Sequence, residues 1–96
     1  MKALKLKWSR RAARDLVSIK SYIAQDSPVR ARKHVALLRK SISRALKFPY
    51  SGRIVPEFSN PTIREFILKN YRIVYWIDNK QVTVLTVFEG HKMLEL

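Results

Sequence analysis

The sequence predicts an α+β domain in which a helical hairpin covers one face of an antiparallel sheet. Three observations predict it: helical apolar spacing confined to the first half, β-branched and aromatic runs confined to the second, and a segment with both Pro and Gly between them. A chain of 96 residues has room for one modest core, so residues 1–96 are read as a single domain. Hydrophobic residues make up 47% and Gly occurs only twice, which excludes a disordered or linker-rich chain.

Leu4, Leu6 and Trp8 alternate with Lys5 and Lys7, the period-two pattern of a strand over residues 3–8. Ser9 is a favoured N-cap, and Ala12, Leu16, Ile19 and Ile23 then fall at helical spacing, giving a first helix over 9–25. Ser27-Pro28 restarts the chain, because Ser caps well and Pro in the first turn loses no hydrogen bond. The second helix runs to residue 47, with Val35, Leu38, Ile42, Ala45 and Leu46 on one stripe. Phe48-Pro49-Tyr50-Ser51-Gly52 ends the helical pattern, and Pro56 and Pro61 keep the following residues irregular. Residues 62–68, 72–77 and 82–88 are rich in Ile, Val, Phe, Tyr and Trp and read as a three-stranded meander, with Asp78-Asn79-Lys80 as the last turn.

Charge is the strongest compositional signal. Twenty Lys and Arg stand against seven Asp and Glu, a net +13, which implies an anionic partner. Residues 1–52 carry 14 basic and 2 acidic side chains, whereas residues 53–96 carry 6 and 5, so the excess belongs to the predicted helices. There is no Cys, which excludes disulfides and thiolate metal sites. The charged residues alternating through the first eight positions do not form a signal peptide, no stretch spans a membrane, and a cytoplasmic location is expected. With only His34 and His91, no zinc cluster is foreseen; no Gly-rich phosphate loop or nucleophile elbow is present, and neither metal nor cofactor is called for.

Pro49-Tyr50-Ser51-Gly52-Arg53-Ile54-Val55-Pro56-Glu57 resembles the linker of RelE/ParE-family toxins. Ile63-Arg64-Glu65-Phe66, then Asn70 to Tyr75, then Val82 to Val87, resemble that family's successive strands, so the resemblance runs over nearly the whole chain. It implies a strand, helical hairpin and three-stranded meander, and a toxin of a type II toxin–antitoxin system. It also implies a cognate acidic antitoxin, a toxin–antitoxin hetero-oligomer, growth inhibition and a role in plasmid stabilization. Members resembling ParE inhibit DNA gyrase; members resembling RelE cleave mRNA on the ribosome. The segment Phe88-Glu89-Gly90-His91-Lys92-Met93-Leu94 is closer to the ParE-like ending, although His91 takes a place where arginine is usual, and so gyrase is the expected target.

The alternative reading, an endoribonuclease, names its own residues. Metal-free RNA cleavage needs a base, an acid and cations that offset charge building on phosphorus. Arg64, Arg72 and His91 are the candidate catalytic groups, and Arg53 and Lys92 the candidate target contacts, with topology expected to bring Arg64, Arg72, His91 and Lys92 to one end of the sheet. Each has a plainer reading. Arg64 with Glu65, and Arg72, can be cross-strand ion-pair residues; Tyr71, Tyr75 and Trp76 suit sheet packing; His34 is read as structural. The run Arg10, Arg11, Arg14, Arg30, Arg32, Lys33, Arg39, Lys40 and Arg44 is a solvated face that an acidic antitoxin or nucleic-acid phosphates can also occupy. A third possibility is an inactive module that only binds antitoxin or nucleic acid.

Overall fold

Two serines start the two helices. Ser9 is extended and its side chain accepts from the Ala12 amide, opening α1 (Arg10–Ala24). Ser27 does the same for the Arg30 amide at the head of α2 (Pro28–Lys47), with Pro28 in the first turn. Arg44 and Lys47 lie in the last turn of α2, where the helix dipole favours cations. The computed structural model describes residues 4–90, and within them no helix is long and apolar enough to cross a membrane.

Among the described residues five strands form one sheet in the order β1-β5-β4-β3-β2: β1 (Lys5–Trp8), β2 (Arg53–Ile54), β3 (Ile63–Leu68), β4 (Tyr71–Ile77) and β5 (Gln81–Glu89). The expected meander is β3-β4-β5, each pair antiparallel. Its last turn is the expected one: the Asp78 carboxylate accepts from the amides of Lys80 and Gln81. The N-terminal strand adds parallel to β5, from Lys5 beside Gln81 to Trp8 beside Val84.

Two expectations are corrected. The stretch after Gly52 was expected to be irregular throughout, yet Arg53 and Ile54 pair with Glu65 and Arg64 as β2, after a 3-10 turn at Pro49–Ser51. The pairing satisfies edge groups of β3 that would otherwise lie open. The apolar stripe of α2 was expected to use Val35. It runs instead through Ala31, His34, Leu38, Ile42 and Ala45, because a 3.6-residue period turns His34 inward and leaves Val35 half-buried.

The helical hairpin packs on one face of the sheet. Ala12, Leu16, Leu38, Ile42 and Ala45 meet Tyr71, Ile73, Tyr75, Ile77, Val82 and Val84 in the main core. On the other face a smaller cluster forms around Val55 and Val74, with Ile63, Leu85 and Phe88 against it. A register shift between Val74 and Tyr75 in the β4–β5 pairing marks a bulge in β5. Beyond it β1 has ended, and α1 takes over the edge. Ser9 Oγ donates to the Leu85 carbonyl at 2.8 Å, and the Asp15 carboxylate accepts from the Thr86 hydroxyl at 2.6 Å and the Val87 amide at 2.9 Å.

Candidate functional site

The candidate residues occupy the linker between helices and sheet and the strands beneath it. Tyr75 is the anchor on the sheet side. Its hydroxyl donates to the Pro49 carbonyl at 2.7 Å and accepts from the Gly52 amide at 3.2 Å, with the ring stacked on Phe66. Burial pushes its phenol pKa up, so the group stays a neutral donor. Gly52 is required by this approach: a Cβ there would lie 2.4 Å from the Tyr75 hydroxyl and 2.8 Å from the Glu65 carbonyl.

Arg64 clasps the same linker from β3. Its Nε donates to the Pro61 carbonyl at 2.8 Å, one terminal nitrogen donates to the carbonyls of Gly52 at 3.1 Å and Tyr50 at 3.3 Å, and the guanidinium sits 5.1 Å from the Tyr50 ring centre. The residue is spent on holding backbone carbonyls that the Pro-rich segment cannot pair within itself.

Arg72 lies on the opposite face. Arg64 pairs with Tyr75 while Arg72 pairs with Ile67, and because successive strand residues alternate, Arg64 shares the helix-side face and Arg72 the outer one. The expected convergence of Arg64 and Arg72 therefore does not occur. Arg72 Nε donates to Glu65 at 2.6 Å, and its two terminal nitrogens donate to the two oxygens of Glu57, both at 2.8 Å. The plane also faces the Phe88 ring at 5.1 Å. The second oxygen of Glu65 accepts from Arg53 Nε. Glu65 is thus the partner of Arg72 and Arg53, not of its neighbour Arg64.

Two arginines and two glutamates make this network formally neutral. Glu65 has a side chain 0% exposed and that of Arg72 is 8% exposed, whereas Arg53 remains half-exposed. The bidentate pair holds Glu57 well below the usual carboxylate range, at about 2, chiefly through the Arg72 hydrogen bond, and raises the Arg72 pKa further. Removing Glu65 or Arg72, the two buried members, would leave an uncompensated charge, a loss on the order of 3–5 kcal/mol.

His91 and Lys92 lie outside the described residues. Among the described residues no group of three or more His, Asp or Glu is arranged to hold a metal ion. Sequence reasoning missed the roles of Glu57 and Glu65. A signal for Glu65 existed: a two-residue turn at Lys69-Asn70 sets Ile67 opposite Arg72, which places Glu65 on the same face one pair further along. Glu57 comes from the linker, and no periodicity points to it.

A sequence model for the family described as ParE toxin of type II toxin–antitoxin system, parDE, matches residues 6–94. The Y4kP protein of Sinorhizobium fredii is 34% identical over 94 residues, covering 96% of this chain and 94% of its own. Toxin RelE2 of Caulobacter vibrioides is 28% identical over 81 residues, covering 83% of this chain and 88% of its own. Among solved structures, a chain of the chromosomal ParDE TA system from P. aeruginosa is similar with a TM-score of 0.75 at 23% identity, over 91% of this chain and 96% of that one, a likeness of fold.

Proposed function

The chain belongs to the ParE toxin family of type II toxin–antitoxin systems, and from that premise we propose that it arrests growth by binding DNA gyrase and is not itself a nuclease. The observation that carries this reading is the neutral network on the outer sheet face. A metal-free ribonuclease must present cations to the scissile phosphate. Arg72 has all three guanidinium nitrogens engaged by carboxylates and is buried, and Arg64 is turned away to the linker carbonyls. A phosphodiester approaching this face would meet the exposed part of Glu57 beside Arg53, with Arg72 and Glu65 buried beneath. Gyrase as the target follows from the ParE-like resemblance of the C-terminal segment that begins at Phe88 and contains His91 and Lys92.

The charge excess of α1 and α2 supports a cognate acidic antitoxin, bound as a hetero-oligomer. Arg10, Arg11 and Arg14 on α1 and Arg30, Arg32, Lys33, Arg39, Lys40 and Arg44 on α2 are all exposed, a field that steers an acidic segment toward the hairpin. The second reading, a ribosome-dependent ribonuclease using Arg64, Arg72 and His91, is favoured by the likeness to Toxin RelE2.

One experiment separates them. The purified chain is added to a gyrase supercoiling assay and, in parallel, to a translating extract whose mRNA 5′ ends are mapped. Loss of supercoiling with intact mRNA is the expected result. New ends within translated codons, with supercoiling unchanged, would overturn the proposal and return Arg64, Arg72 and His91 to catalysis. No effect in either assay would also overturn it and leave a binding module.

A further inference from the structure

A pocket of about 370 Å³ opens where the first turns of α2 face the β3–β4 turn. Arg30 and Lys33 reach it from α2 and Lys69 from the turn, and no Asp or Glu among the described residues lines it. Two features separate it from the rest of the basic surface. His34, in its wall, is 8% exposed, and its Nε2 has no hydrogen-bond partner among the described residues. Buried polar nitrogens are nearly always partnered, and an unpartnered one in a residue that walls a cavity stands out from the exposed cations around it. The imidazole ring rests 4.9 Å from the Tyr71 ring, and burial first, then the Lys69 charge, hold its pKa below the ordinary value, leaving it neutral.

The second feature is the backbone of Lys69. It sits at φ 55°, the left-handed region that Gly or Asn enters readily and Lys does not. The turn is pinned there, since the Asn70 carbonyl accepts from the Gly90 amide at 2.6 Å. A two-residue hairpin turn asks for a positive φ at this position and favours Gly or Asn there, and here a lysine fills it beside two other cations.

We propose that this pocket binds a phosphate group. Arg30, Lys33 and Lys69 offer many donors from two separate elements, and a neutral imidazole offers one N–H. A phosphate monoester brings three terminal oxygens and close to two charges, which matches three cations with no carboxylate among the described lining residues. A carboxylate brings two oxygens and one charge and leaves the set underused. Ile23, Leu37 and the Tyr71 ring complete the lining with apolar surface, suited to the sugar or base of a nucleotide. The site is independent of the gyrase reading, because none of its residues belongs to the outer-face network.

The test is amide-detected NMR on the full chain at fixed ionic strength, titrated with inorganic phosphate, with AMP and with acetate. Phosphate is expected to give saturable shifts centred on His34 and on Lys69 to Tyr71, with acetate weaker by about tenfold, as one fewer charge and oxygen imply. Lys69→Gly keeps the turn, since glycine adopts its φ freely, and is expected to weaken phosphate binding by about fivefold or more. Lys40→Gln, on the same helix but outside the pocket, should leave it unchanged. AMP binding more tightly than phosphate identifies a nucleotide as the source, and equal binding identifies the free anion; either upholds the site. Shifts that do not saturate, that acetate reproduces, or that survive Lys69→Gly would overturn it.

Discussion

The helical hairpin and the outer face of the sheet use arginine in opposite ways. On α1 and α2 the cations are exposed, and none of the ion pairs among the described residues lies there. Those pairs all join Arg53 and Arg72 to Glu57 and Glu65 on the sheet side. Apart from Arg39, which sits over the Trp8 ring, the hairpin arginines act at a distance, through a field that salt screens. The sheet arginines act at contact, as cross-links between strand and linker. A net charge of +13 therefore says where a partner is drawn, and it says nothing of whether a particular arginine is free to do chemistry.

That contrast can be broken most forcefully at Glu65. Glu65→Ala strips a buried carboxylate from two arginines and is expected to lower unfolding free energy by about 3–5 kcal/mol in urea denaturation. A loss under about 1 kcal/mol would mean that the network is no stronger than a surface pair. Next is Gly52→Ala, whose methyl collides with the Tyr75 hydroxyl and is expected to lose about 1–3 kcal/mol. Combined with Tyr75→Phe, the two losses should be less than additive by about 0.5 kcal/mol or more, since the phenyl ring removes the colliding atom.

Acid sharpens the comparison on the sheet side alone. Glu57 titrates near 2 when folded, against an ordinary value of 4.5, so its contribution is complete above the ordinary value and is lost as pH falls from there through about 2. With the side chain one-third exposed, solvent screening reduces that contribution to about 1 kcal/mol. Glu57→Gln should flatten that part of the stability curve between pH 5 and pH 2, as measured by urea midpoints, and an unchanged curve would remove Glu57 from the network. The smallest effect on stability is expected on the hairpin. Arg11→Glu with Arg14→Glu should shift it by less than about 0.5 kcal/mol, yet weaken antitoxin binding and make it less salt-dependent in calorimetric titrations. Unaltered affinity would place the antitoxin elsewhere.

The elements with strong local signals were legible. Ser9 and Ser27 cap as their residue types demand, and the β-branched and aromatic runs within residues 62–88 become β3, β4 and β5. What escaped was set by partners distant in sequence. Nothing in Lys5 to Trp8 names β5 as its neighbour, and β2 exists because β3 offers it an edge. His34 holds the place in the α2 stripe that had been given to Val35, whose hydrophobicity outweighed a better-phased histidine. The candidate site was the least legible part. Residue type alone made Arg64 and Arg72 look alike, whereas strand parity sends them to opposite faces, and Glu57 joins through a linker without period.

The parallel pairing of β1 with β5 also has a meaning for synthesis. Among the described strands β1 comes first in the chain and its neighbour β5 comes last, and β5 is hydrogen-bonded on both sides, to β1 and to β4. A nascent chain lacking residues 81–89 can form its helices but cannot close its sheet, and bringing such distant segments together is slow. Premature termination anywhere before β5 should therefore yield a fragment whose sheet stays open.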